Sequence, residues 1–148
     1  MLTNAFRALS TALFLFAASI AIAQDSLPYK EGAVIVVTSV RTQPGKFDDY
    51  YRYLSGPYSQ MMDEAKKMGL LTEYRFMMAF PRSDKDPDLY IVETYPNMAV
   101  FDGMMDKMSP VSKKVFGSLK QANEADANRE EVRKILGTEM MRELTPRK

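Results

Sequence analysis

The stretch Asp88-Leu-Tyr-Ile-Val-Glu-Thr-Tyr-Pro-Asn-Met-Ala-Val-Phe-Asp-Gly-Met-Met105 sets the architecture of the chain. Leu89 to Tyr95 has the β-branched and aromatic content of a buried strand. Pro96, with no N–H to give a ladder, stops it. Asn97 is a residue type that caps helices, and Met98, Phe101, Met104 and Met105 then recur at helical spacing. A strand running directly into an amphipathic helix, after two strand-like runs, predicts a small α+β sheet domain.

Upstream, residues 33–40 (Ala-Val-Ile-Val-Val-Thr-Ser-Val) read as a strand by their β-branched density. Gln43-Pro44-Gly45 turns the chain, and Phe47, Tyr50, Tyr51, Leu54, Tyr58, Met61, Met62, Ala65 and Met68 follow a helical stripe. Asp48 and Asp49 near its start and Lys66 and Lys67 near its end suit the helix dipole. Gly56-Pro57 must kink or split this helix, and Gly69 ends it. Residues 71–80 read as a second strand, followed by an exposed connection over residues 81–87. Downstream, Ser109-Pro110 reads as a helix start, with a break over residues 123–128. A further helix carrying Val132, Ile135 and Leu136 would end at Gly137, and the alternation of residues 138–145 predicts a closing strand. The order β-α-β-β-α-α-β is the split βαβ pattern of ferredoxin-like domains.

The amino terminus reads as an address. Arg7, the apolar run over residues 8–22 and Ala21-Ile22-Ala23 before Gln24 give a signal peptide over residues 1–23 that is removed. Residues 24–32 would be a loose leader and residues 33–148 a single domain, exported to the periplasm or secreted and free of the membrane after cleavage. Removing residues 1–23 takes away Arg7 alone and leaves 19 cations against 19 anions. That balance offers nothing to nucleic acid or an anionic surface.

The chain of 148 residues has no histidine and no cysteine. Imidazole bases, thiol nucleophiles, Ser-His-Asp triads, disulfides and His- or Cys-ligated metal centres are therefore excluded. No cofactor and no metal are expected. The 12 methionines include pairs at 61–62, 77–78, 104–105 and 140–141. Thioethers can bind copper(I), but flexible core filling is the expected role.

Strand parity predicts how the sheet is used. One face would collect Val34, Val36, Val40, Tyr74, Phe76, Met78, Phe80, Tyr90 and Val92. The other would collect Ile35, Val37, Met77, Ala79, Leu89 and Ile91, together with Arg41, Glu73, Arg75, Glu93 and Tyr95. Both faces are apolar at their centres, and two helices can cover only one. The bare face is expected to meet a second copy, sheet against sheet, with a pocket between or within the sheets. Its lining would be Arg41, Glu73, Arg75, Met77, Ile91, Glu93 and Tyr95. A buried glutamate can act as a base and an arginine can hold an enolate or carboxylate, which makes Glu93 and Arg75 the catalytic candidates. An interface ion-pair network is the plainer use of the same charges. The tyrosines at 50, 51, 53, 58, 74, 90 and 95 could line a pocket or pack the core.

The first strand with Pro44-Gly45-Lys46-Phe47 opening a helix, and Tyr90-Ile91-Val92-Glu93-Thr94-Tyr95-Pro96-Asn97, resemble the dimeric α+β barrel superfamily. That group includes antibiotic-biosynthesis monooxygenase-like and NIPSNAP-like domains, and the resemblance spans residues 33–105. It implies a homodimer with a barrel-like pocket, in a group whose enzymes include cofactor-free oxygenases, haem degraders and isomerases. The chain departs from the catalytic branches in lacking His and Trp. The reading that follows is an exported homodimer binding a small, mostly apolar ligand. Its rivals are a cofactor-free monooxygenase or isomerase using Glu93, Arg75 and a tyrosine, and a non-catalytic structural or partner-binding envelope protein.

Overall fold

A computed structural model describes residues 27–148. The signal-peptide reading of residues 1–23 lies outside the described residues. Among those described, no helix is long and apolar enough to cross a membrane.

Strand β1 (Tyr29–Thr42) leads into helix α1 (Phe47–Tyr53), a π-helical segment (Leu54–Tyr58) and helix α2 (Ser59–Lys67). Strands β2 (Glu73–Met78) and β3 (Leu89–Tyr95) form a hairpin. A 3-10 turn (Met98–Phe101), helix α3 (Met104–Phe116), helix α4 (Leu119–Asn128) and a second 3-10 turn (Arg129–Glu131) lead to strand β4 (Arg133–Pro146). The antiparallel sheet has the order β2-β3-β1-β4. This is the ferredoxin-like α+β fold that the element order predicts.

The Gly56-Pro57 kink is where the sequence puts it. Gly56 leaves helical geometry at φ −105°, ψ −107°, and the chain resumes as α2. The Ser59 hydroxyl donates to Leu54 O at 2.7 Å, satisfying one carbonyl of the π segment. The bent helix then lays Tyr50 and Leu54 onto Val40, Leu89 and Ile91, all buried. Beyond the kink, Met62 and Ala65 pack with Leu70 and Leu71 as a second core cluster.

Several boundaries differ from the sequence reading. Residues 29–32 are not leader but the start of β1, because Tyr29, Lys30 and Glu31 pair with Pro146, Thr145 and Leu144. Leu70 and Leu71 are core residues beneath the helices, and β2 begins at Glu73. Asn97 is extended at φ −169° and makes no side-chain cap. Helix α3 begins after Gly103, which takes the left-handed conformation at φ 65°. Pro110 lies inside α3 and does not open it. The carbonyl it leaves free belongs to exposed Asp106, where water can replace the lost bond. Helix α4 runs unbroken through residues 123–128, capped by Ser118, whose hydroxyl accepts from Gln121 N. Residues 133–137 are strand, and Gly137 lies within β4 opposite Ser39.

The largest correction concerns the faces. Pairing of Val36 with Glu93, Val40 with Leu89, Tyr74 with Glu93 and Phe76 with Ile91 places these side chains on one face, beneath the helices. The opposite face carries Ile35, Val37, Tyr90 and Val92, flanked by Glu73, Arg75, Met77 and Met141. Leu89, Ile91, Glu93 and Tyr95 therefore lie opposite to where parity had placed them, and so do Tyr90 and Val92. The hairpin pairs Met78 with Leu89, an even position with an odd one, and this inverts all of β3 relative to a simple count.

Candidate functional site

The helix side holds a cleft of about 530 Å³ between α2, the end of β3, α3 and α4. Met61, Met62 and Ala65 come from α2, Leu70 and Leu71 from the turn after it, and Met104, Met105 and Met108 from α3. Leu119 and Ala122 close it from α4, while Ser109, Ser112, Asn123 and Asp106 add polar atoms. Its wall is the second core cluster, left incompletely filled. An apolar concavity of this size with a few polar groups suits a small ligand.

Tyr95 joins this cleft to a polar unit beneath it. Its ring lines the cleft and packs on Phe101 at 4.7 Å between centroids. Its hydroxyl donates to Glu93 Oε2 at 2.8 Å, and the Tyr58 hydroxyl donates to Glu93 Oε1. Burial pushes both phenols above their ordinary ionisation range, and the negative charge of Glu93 pushes them further. Both tyrosines thus remain protonated donors at neutral pH, holding one carboxylate in a fixed orientation. β3 places Glu93 and Tyr95 two residues apart on one face, and the helix kink delivers Tyr58 from above.

The seven predicted pocket residues do not converge. Glu93 and Tyr95 are together, and Ile91 is buried beside them in the first core cluster. Arg75 pairs in register with Val92 and lies on the other face from Glu93, so Glu93 and Arg75 cannot share a substrate on one face of the sheet. Glu73 and Met77 accompany Arg75 on edge strand β2, all three exposed. Arg41 is at the far end of β1, where its guanidinium donates to Asp86 O at 3.2 Å. There the Asp88 carboxylate accepts from Thr42 N at 3.0 Å, tying the β3 entrance to the end of β1. Of the seven, only Tyr95 lines the cleft.

The other tyrosines have separate duties. Tyr50 and Tyr53 stack at 6.1 Å, with the Arg133 and Arg129 guanidiniums over their rings. Tyr51 meets Phe76 edge-on, and the Tyr74 hydroxyl donates to Asp63 at 3.0 Å. Sequence reasoning missed the cleft residues Met61, Met62, Met104 and Met108 as a group. The signal available was the i, i+4 pair Met104 and Met108, which share a helix face. Among the described residues, no group of three or more Asp or Glu side chains could hold a metal ion.

No protein-family model matches the chain, and no curated protein sequence matches it. Similar solved structures include HapK from Hahella chejuensis, 10% identical, with a TM-score of 0.47 over 73% of this chain and 90% of that one. Another is protein SO0527 from Shewanella oneidensis, 13% identical, with a TM-score of 0.49 over 79% of this chain and 98% of that one. The sheet order and the helix-side cleft define the class, a ferredoxin-like α+β domain with an apolar pocket.

Proposed function

We propose that the protein is an exported, homodimeric α+β barrel domain that binds a small, mostly apolar ligand in the cleft between α2, α3 and α4. The observation that carries this reading is the cleft itself: about 530 Å³ walled by methionine and leucine, with hydroxyls at Ser109 and Ser112. An apolar concavity of this size with a few polar atoms along it is the usual form of a small-molecule site. Pairing through the open sheet face is supported by Met77 and Met141, 52% and 44% exposed, beside half-buried Ile35, Val37 and Tyr90. Export is supported by the amino-terminal pattern of Arg7, the apolar run and Ala21-Ile22-Ala23.

Titration with 1-anilinonaphthalene-8-sulfonate tests the pocket. The mature protein is expected to take up one probe per chain with enhanced fluorescence. Ser112→Phe, which fills the cleft from α3, is expected to abolish uptake without lowering the melting temperature. Equal uptake by both proteins overturns the reading.

An enzymatic reading is favoured by one feature, the Glu93 carboxylate oriented by Tyr58 and Tyr95 next to the cleft. In this version Glu93 is the base, acting on or through Tyr95, and Arg75 has no part. Glu93→Gln is expected to leave probe affinity intact. If it also leaves unchanged whatever turnover the protein has, the carboxylate is structural.

A further inference from the structure

We propose that the sulfurs of Met61, Met62, Met104 and Met108 form a site for a soft monovalent cation, copper(I) or silver(I), within the cleft. Two facing helices supply them: Met61 and Met62 come from α2, and Met104 and Met108 lie one turn apart on α3. All four belong to one cluster around Ala65, Leu70 and Leu71. Methionine used as core filler takes up irregular space and leaves none. Here the methionines border about 530 Å³ of open volume, so their flexible thioethers are free to fold inward onto a common centre.

Donor chemistry narrows the guest. The chain has no histidine and no cysteine, so methionine supplies all of its soft donor atoms. Neutral thioethers favour soft copper(I)-type ions over hard magnesium or calcium. They bind in the protonation state they already have, whereas a thiol must first lose its proton. Charge is consistent with a single positive ion, since the cleft lining contains one carboxylate, Asp106, and no Lys or Arg. A divalent ion would enter this apolar volume with one charge uncompensated, which is costly. The site goes beyond the apolar-ligand reading, because a hydrocarbon guest gains little from sulfur in place of a methylene.

Silver nitrate, redox-inert and added in chloride-free buffer, is the probe. Native mass spectrometry of the mature protein is expected to show one silver per chain, and X-ray absorption a near shell made of sulfur. Met104→Leu/Met108→Leu conserves volume, so the fold is expected to persist, read by circular dichroism and the melting temperature. Silver affinity is expected to fall by at least about tenfold. If that variant proves unstable, Met61→Leu/Met62→Leu makes the same test from α2. Silver binding unchanged in the cleft variants overturns the proposal. So does an equal loss when Met140→Leu/Met141→Leu alters β4 instead. Loss of silver from a variant that keeps the wild-type circular dichroism and melting temperature supports the site, and loss in an unfolded variant is resolved by the second pair.

Discussion

Glu93 carries its charge on the helix face of a sheet whose neighbours there are Val36 and Tyr74 in register and Ile91 two residues back. What makes this tolerable is the pair of phenols that donate to its two oxygens. Tyr58→Phe removes one donor and leaves the carboxylate partly unsatisfied, at a cost of about 1–3 kcal/mol. Urea denaturation of the two proteins measures it, and equal midpoints would mean that water replaces the phenol fully. The same unit predicts an alkaline weakness. Burial first and the Glu93 charge second raise the ionisation of Tyr58 and Tyr95 in the folded state above the unfolded phenol's ~10. Stability from this source is complete below pH ~10 and is lost as pH climbs past it, because the unfolded chain releases its protons first. For Tyr58 the slope approaches about 1.4 kcal/mol per pH unit, and the more exposed Tyr95 adds less. Denaturation midpoints taken from pH 8 to pH 11 should fall more steeply in the wild type than in Tyr58→Phe.

Among the elements, α4 depends most on its ends. It contributes no buried residue, so packing gives it little and its cap matters more. Ser118 accepts from Gln121 N at 3.1 Å at the start of the helix. Ser118→Ala is expected to cost about 1 kcal/mol. Hydrogen exchange is the sharper readout: amides of α4 should exchange faster in the variant, while those of β1 keep their protection. Since α4 also contributes Leu119, Ala122 and Asn123 to the cleft, the same variant links helix fraying to how open the cleft is. The α1–α2 kink works in the opposite direction. It is locked between two core clusters, and it is what brings Tyr58 down to Glu93.

For the molecule as a whole, the sheet has one face under helices and another built of half-buried and exposed apolar residues. The long antiparallel pairing of β1 with β4 extends from Thr42 and Arg133 to Tyr29 and Pro146, and on the open face it leaves Met141, opposite Ile35, 44% exposed. In the proposed dimer a second copy covers this face. Val37, on central strand β1 opposite Val92 and Glu139, marks the middle of that surface. Val37→Arg places a charge there and is expected to convert a dimer to a folded monomer, read by light scattering and circular dichroism together. A wild-type protein that is already monomeric at micromolar concentration removes the paired-sheet reading and leaves the cleft intact.

The sequence alone fixed what short-range chemistry controls. The β-branched run of β3, the proline-bearing kink after Leu54 and the closing strand over residues 138–145 could all be read directly. So could the lack of imidazole and thiol chemistry. Local patterns failed where an outcome depended on partners distant in the chain. Pro110 reads as a helix start, yet surface exposure lets it sit inside α3. Residues 133–136 have helical neighbours in sequence, yet β1 offers them a ladder. The face on which Glu93 lies was set by the Met78–Leu89 pairing, which no count along a single strand can supply. The cleft likewise needed the fold, because Met61 and Met104 belong to helices separated by two strands and meet only when both pack on the same side of the sheet. Periodicity fixes which residues of one element share a face. Only the pairing of elements fixes which faces meet, and the candidate site is made entirely of such meetings.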